Sequence, residues 1–172
     1  VTRVEIRPAV AADDHAIGEL LVAAFVERYA AKLPEVVVGE RRRADLRAVA
    51  AKRAIAEVWV ADRGGELVGT VALWPPGAPG SEAWLGGAAD LRHLAVAATV
   101  RGQGVAAALL DAAEARAWQL DASAVCLHVR RGAVGVRAVY TRRGYVAAPE
   151  GDLDARPEVY LEALILRGGR KA

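Results

Sequence analysis

The stretch Leu91 to Leu110, LRHLAVAATVRGQGVAAALL, constrains the fold more than any other part of the chain. Leu91, Leu94 and Val96 suit a buried strand, Arg101-Gly102-Gln103-Gly104 suits a tight backbone turn, and Val105 to Leu110 opens an apolar helix. A strand that feeds a helix through glycines makes a place for an anion, because unpaired N–H groups converge there with the positive end of the helix dipole. A pyrophosphate approaching such a turn needs amides unobstructed by side chains. Gly102 and Gly104 supply them, and the small Ala106 keeps the helix start open.

The flanking segments supply a sheet and helices. Val4 and Ile6 alternate with charged residues up to Pro8, the pattern of a half-exposed strand. Asp13 or Asp14 then caps a helix with Ile17, Leu20, Leu21, Ala24 and Phe25 on one face, ending near Leu33-Pro34. Glu40 to Ala56 predicts a second helix with a narrow apolar stripe. Val58 to Ala61 and Glu66 to Trp74 read as strands joined by the hairpin turn Asp62-Arg63-Gly64-Gly65. After a Pro- and Gly-rich loop come a strand over Asp90 to Val96, a helix over Gly104 to Leu120 and a strand over Ala124 to Val129. A short helix from Gly135 to Arg143 stops at Gly144; Tyr145 to Ala147 and Val159 to Arg167 follow as strands. The result is a mixed α/β sheet, with antiparallel hairpins early and a βαβ crossover late. Residues 1–167 are expected to form a single domain and 168–172 a tail.

Composition narrows the function classes. Lys+Arg 23 against Asp+Glu 21 leaves a net charge of +2, too balanced for a chain that coats nucleic acid. Cys126 is the single cysteine, which removes an intrachain disulfide and a cysteine metal site. The first residues carry charges throughout with no apolar h-region, and no run approaches the roughly 18 apolar residues of a spanning helix. The expectation is a cytoplasmic protein with no membrane partner. Its core draws on Ala, Val and Leu, so it should be built of small residues.

Two phosphate-binding patterns compete for the turn. Gly102-x-Gly104-x-x-Ala107 matches the dinucleotide fingerprint, but its strand comes midway through the chain after a hairpin, and the next strand ends in Arg130 rather than an acidic ribose ligand. No Gly-Lys-Ser/Thr follows, which excludes a P-loop. Read as Leu91-x-x-Leu94-Ala95-Val96 followed by Arg101-x-x-Gly104-x-Ala106, with Ala138, Tyr140, Gly144 and Tyr145 downstream, the pattern resembles the GNAT superfamily of acyl-coenzyme A-dependent N-acyltransferases. That resemblance extends over most of the chain. It implies a mostly antiparallel mixed sheet with flanking helices, acetyl-coenzyme A as co-substrate, no metal, and direct acetyl transfer to a small-molecule or peptide amine. It also implies that Leu94, Ala95 and Val96 pair with the pantetheine arm, that Arg101, Gly102, Gln103, Gly104, Val105 and Ala106 hold the pyrophosphate with the Gln103 side chain directed away, and that Tyr140 reaches the thioester sulfur. The final strand mediates pairing in similar proteins, which implies a homodimer. Where the family often has Asn, seven residues before the tyrosine, this chain has Ala133.

Attack of a neutral amine on a thioester needs an acceptor for the ammonium proton and a donor for the leaving thiolate. The resemblance makes Tyr140 the donor. For the acceptor, strand alternation puts Asp90 and Arg92 on the side of Leu94 and His93 on the other, unless a bulge rotates it. Asp90 is the expected base, with His93 or a water chain as alternatives. His128 and Cys126 read as structural, and the three histidines are too scattered for a metal site. Trp74, Trp84, Phe25 and Tyr29 read as core and loop anchors or as the wall of an acceptor pocket. Glu150, Asp152 and Asp154 read as a solvated acidic loop or a patch for a cationic amine, and Arg41, Arg42 and Arg43 as an exposed helix face. A noncatalytic acyl-coenzyme A sensor is the alternative function; a dinucleotide-dependent oxidoreductase is third.

Overall fold

The hairpin at Asp62-Arg63-Gly64-Gly65 forms as its sequence dictates. Gly64 and Gly65 take φ of +64° and +91°, which only glycine adopts freely, and Asp62 Oδ1 accepts the Gly65 N–H at 2.7 Å. In the computed structural model, which describes residues 2–27, 39–156 and 159–168, this turn joins β2 (Glu57–Arg63) to β3 (Glu66–Trp74). The fold is mixed α/β with a mostly antiparallel sheet and flanking helices, as expected. Its contacts divide the chain into two compact bodies, Val1–Ala72 with His93–Ala113, and Leu73–Arg92 with Glu114–Ala172.

The first body carries the strand order β1-β2-β3-β4, where β1 is Glu5–Pro8 and β4 is Ala89–Val96. β1 lies antiparallel on β2, from Glu5 opposite Asp62 to Pro8 opposite Trp59. Arg7 on β1 forks onto Asp13, with nitrogen–oxygen distances of 2.8 and 3.1 Å, and Asp13 also accepts the Val10 N–H at 2.8 Å. That carboxylate fixes the entry to α1 (Asp14–Val22), which seals Ile17 and Leu21 and then widens into a π-turn over Ala23–Glu27. The expected end of this helix at Leu33-Pro34 lies outside the described residues, as does Tyr29.

The second predicted helix is two, α2 (Glu40–Arg47) and α3 (Val49–Arg53), separated at Ala48 with ψ of +53°. Alanine is the strongest helix former, so the break follows packing rather than propensity. Leu46 and Val49 are sealed on either side of it. Gly69 on β3 seats α4 (Val105–Gln119): a Cβ there would stand 2.9 Å from Leu109 and 3.1 Å from Val105. The missing side chain lets the first turns of α4 lie close on the sheet, and this positions the turn before it.

In the second body β4 continues the order β4-β5-β8-β6, with β5 (Ala124–Arg130), β6 (Val146–Ala147) and β8 (Val159–Arg167). β5 is antiparallel to β8 along its whole length. Its parallel ladder with β4 covers only Ala89 opposite Val125 and Asp90 opposite Cys126, so among the described residues Leu91 and Arg92 already lie beyond it. Ala88, Ala124, Cys126, Ala148, Ala163 and Ile165 form a core of small residues, as the composition suggested. A strand missing from the sequence reading, β7 (Leu153–Arg156), pairs with β8 through a bulge. α5 (Val134–Thr141) is the short helix before Gly144, whose φ is +98°.

Candidate active site

The turn between β4 and α4 belongs to the first body. Ala97 closes β4 by donating to Val68 O at 2.8 Å, and a short 3₁₀ turn over Ala98–Val100 leads to Arg101. Gly102 and Gly104 take φ of +73° and +81°, and a Cβ on either would meet nothing within 4 Å. Glycine is needed here for backbone conformation and clear approach rather than for packing. The Gln103 side chain bends back, with Nε2 3.4 Å from Thr99 O. Ala108 donates to Gly104 O at 3.0 Å, so Val105, Ala106 and Ala107 precede the helical ladder and direct their N–H groups out of the α4 N-terminus. Exposed residues from Arg101 to Gly104, two left-handed glycines and a helix N-terminus fit a pyrophosphate.

Upstream in the same body, Ala95 is buried while Leu94 and Val96 are half-buried. His93 has a φ of +59°, rare for a non-glycine residue, so strict alternation along β4 fails at this position. Its ring stands edge-on to Phe25, with centroids 6.0 Å apart.

The leading end of β4, in the second body, carries a polar cluster. Asp90 is fully buried; its Oδ2 accepts the Glu82 N–H at 2.7 Å and Arg92 Nε at 2.7 Å, with a further short bond from Arg92 Nη2. Arg92 Nη2 also donates to Gly80 O at 2.5 Å, and the guanidinium lies 4.2 Å from the centre of the Trp74 ring. Among the described residues Asp90 Oδ1 has no hydrogen-bond partner. This carboxylate is committed to holding Arg92 and the loop before β4. Glu82, half exposed, sits 3.6 Å from Arg92 Nη1 through Oε1 and 3.9 Å from His128 Nδ1 through Oε2. His128 Nε2 lies 2.8 Å from Gly151 O, and the ring stands edge-on to Trp84 at 5.3 Å. Trp84 covers Gly151 so closely that a Cβ there would fall 2.2 Å from the indole.

Tyr140 is placed by another side-chain framework in the second body. Glu114 on α4 takes both ends of Arg143, at 3.0 and 2.7 Å, and accepts the Tyr145 hydroxyl at 3.1 Å. The Tyr145 ring braces Tyr140 edge-on at 5.5 Å. Tyr140 is buried, and its hydroxyl makes no hydrogen bond among the described residues. Burial, and then the charge of Glu114, push its pKa far up, so it carries its proton throughout the neutral range.

The remaining candidates have structural partners. Burial and then the charge of Asp90 push the Cys126 thiol up to about 11, which leaves it inert near neutrality. Asp152 is no solvated loop residue: it accepts the Ala163 N–H at 2.7 Å and the Tyr160 hydroxyl at 2.8 Å, and these contacts lower its pKa. Arg41 and Arg42 are exposed, and Arg43 lies 3.8 Å from Glu40. Sequence reasoning missed Glu82 and Glu114. Glu114 sits on the same side of a helix turn as Ala117, a spacing that signals only a partly buried acid, and Glu82 stands in an irregular loop that gives no periodic signal. Among the described residues no group of three or more His, Cys, Asp or Glu is placed to hold a metal, and no helix is long and apolar enough to cross a membrane.

The sequence profile described as the acetyltransferase (GNAT) family matches residues 15–145. No curated protein matches the sequence. Among solved structures, an acetyltransferase of the GNAT family from Staphylococcus aureus Mu50 superposes with a TM-score of 0.73 at 13% identity, over 96% of this chain and 99% of that one. A GNAT family acetyltransferase from Elizabethkingia anophelis, with acetyl-CoA bound, gives 0.67 at 16% identity, over 96% and 98%. A third from Brucella melitensis, in complex with acetyl-CoA, gives 0.66 at 21% identity, over 98% and 90%. At such identities the likeness speaks to the fold.

Proposed function

Because the chain belongs to the acetyltransferase (GNAT) family, we propose that it transfers an acetyl group from acetyl-coenzyme A to an amine by direct attack on the thioester. The observation that carries this reading is the turn at Gly102 and Gly104, whose left-handed backbone and open α4 N-terminus suit a pyrophosphate. The similar folds that hold acetyl-CoA support the same choice of co-substrate. In this reading Arg101 to Ala106 bind the pyrophosphate. The backbone of Leu94, Ala95 and Val96 pairs with the pantetheine arm, and an N–H there polarises the thioester carbonyl; such a donor is typically worth about 10²- to 10³-fold in rate. Tyr140 gives its proton to the departing thiolate.

The sensor reading uses the turn equally well but has no use for Tyr140. A buried tyrosine that keeps its proton and makes no hydrogen bond of its own among the described residues favours the transferase. The test is turnover with acetyl-coenzyme A and a panel of alkylamines, arylalkylamines, polyamines, amino acids and peptides with free N-termini, followed by thiol release and product mass. Calorimetry reports coenzyme binding in parallel. Acetylated amine with stoichiometric thiol is the expected result. Tight binding without turnover would establish the sensor, and absence of binding would remove both readings.

A further inference from the structure

Tyr140 has no polar partner to aim it. Among the described residues its hydroxyl makes no hydrogen bond, so the direction of that O–H follows from how the ring and the backbone are held. The same two residues hold both. The N–H groups of Arg143 and Tyr145 converge on Tyr140 O at 2.9 and 3.2 Å, across the left-handed Gly144, and the Tyr145 ring stands edge-on to the Tyr140 ring at 5.5 Å. Glu114 ties those two residues to α4. Its Oε1 accepts Arg143 Nε at 3.0 Å and the Tyr145 hydroxyl at 3.1 Å, and its Oε2 accepts Arg143 Nη2 at 2.7 Å. The Glu114 side chain is 12% exposed and that of Arg143 19%, so water competes little for either.

We propose that Glu114 is a positioning residue for the transfer: it clamps Arg143 and Tyr145 so that their amides and the Tyr145 ring hold the Tyr140 hydroxyl in a single direction for proton donation. The inference rests on the transferase reading above, in which Tyr140 is the donor. All four residues lie in the second body.

Packing alone does not call for this clamp. A phenylalanine at 145 would present the same ring edge to Tyr140, and a buried ion pair adds little stability over apolar groups of similar volume. What the polar groups add is direction, since a ring tied at its hydroxyl cannot tilt freely. Burial, and then the charge of Glu114, push the Tyr145 pKa far up, so its hydroxyl stays a donor throughout the neutral range and the clamp holds there. The charge of Glu114 acts on Tyr140 in the opposite sense to the clamp. It raises the pKa of Tyr140, while Arg143 lowers it, so neutralising Glu114 makes Tyr140 a stronger acid. A residue that acted through its charge would therefore slow the transfer, and its removal would raise kcat. A clamp predicts a fall.

The test is a double-mutant cycle on kcat, followed by thiol release with the panel amine turned over fastest, with acetyl-coenzyme A affinity as the control for folding. Glu114→Gln keeps the size of the side chain and breaks the fork onto Arg143; it is expected to lower kcat by about 10- to 100-fold, the scale of a misplaced reacting group. Tyr145→Phe, which deletes one hydroxyl, is expected to lower it by about 3- to 10-fold. In the Tyr140→Phe background, assayed at high enzyme concentration, the same substitutions should change kcat by less than about twofold, because no hydroxyl remains to be aimed. Tyr145→Phe keeps the ring and its packing, and carries the cycle by itself where Glu114→Gln fails to fold. Undiminished kcat in the folded variants, or losses as large in the Tyr140→Phe background as in wild type, would overturn the positioning role alone and leave the transferase reading standing. Wild-type protein that binds acetyl-coenzyme A and acetylates no amine would remove that reading, and the role of Glu114 with it.

Discussion

The turn at Ala97 to Ala106 and the side-chain frameworks of the second body are made of opposite materials. The turn offers backbone: its glycines have no Cβ to obstruct a ligand, and Gln103 folds back on its own turn. The second body offers side chains, each held by another. Asp90 holds Arg92, Arg92 flanks Glu82, Glu82 faces His128, and Glu114 holds Arg143 and Tyr145 against Tyr140. A backbone site is specified by a few consecutive residues and should tolerate changes in the side chains that point away from it. A side-chain site is assembled from distant segments by topology, and each member is committed to its neighbours.

The largest effect should come from the side-chain half. Tyr140→Phe keeps the ring against Tyr145 and deletes only the proton, so we expect kcat to fall by roughly 10²- to 10⁴-fold, with acetyl-coenzyme A affinity changed less than about twofold. Steady-state kinetics with parallel calorimetry measure both. Full turnover in a folded variant would take catalysis away from the side-chain half altogether.

Next in size is a backbone lesion. Gly104→Val forces a β-branched residue to a φ of +81°, a strain of about 1–3 kcal/mol, which corresponds to a loss of affinity of roughly 5- to 150-fold. The loss should appear in the dissociation constant and KM while kcat at saturation is largely kept, the reverse of Tyr140→Phe. A fall in kcat with unchanged KM would mean that the turn takes part in chemistry rather than in holding the coenzyme.

This contrast also explains what the sequence disclosed. The turn was legible because Arg101, Gly102, Gly104 and Ala106 lie within six consecutive residues, and β3 and β8 were legible to their end residues because their apolar runs are long. β7 escaped because its four residues, Leu153 to Arg156, are too few for their apolar–charged alternation to signal a strand, and the segment owes its conformation to pairing with β8. The split between α2 and α3 escaped because alanine gives no stop signal. The His128–Glu82 pair joins a strand to an irregular loop 46 positions earlier in the sequence, a proximity that no local pattern encodes. Similarly, His93 reads as a strand residue until its left-handed backbone is seen.

A smaller effect tests how tightly the second body is closed. The Cys126 thiol is raised from 9.0 to about 11, by burial first and by the charge of Asp90 second. Above pH 9 the unfolded chain releases this proton before the native one does, so the unfolded state binds fewer protons and stability falls as pH rises from about 9 to about 11. Labelling of native protein by a small thiol reagent should accelerate about tenfold per pH unit across that interval. Asp90→Asn should raise the rate only a few-fold at fixed pH, since burial remains the larger cause. Rapid labelling of wild type at pH 7 would show that this body is open, and the contrast with the exposed turn would lose its basis.

The smallest expected change is the most exposing for the backbone half. Gln103 lies at the centre of the turn, between the two left-handed glycines, where an amide has the chemistry to donate to a phosphate, although the family resemblance directs its side chain away from the ligand. Its amide instead approaches Thr99 O at 3.4 Å, an exposed and long contact back to the preceding 3₁₀ turn. Such a contact adds at most a few tenths of a kcal/mol, well under the roughly 0.5–1.5 kcal/mol of an ordinary hydrogen bond. Gln103→Ala should therefore alter acetyl-coenzyme A affinity by less than about twofold and leave kcat unchanged. Calorimetry against the Gly104→Val variant makes the comparison directly: a Gln103→Ala loss as large as the glycine's would mean that the turn grips its ligand with a side chain, and the division between backbone and side-chain halves would not hold.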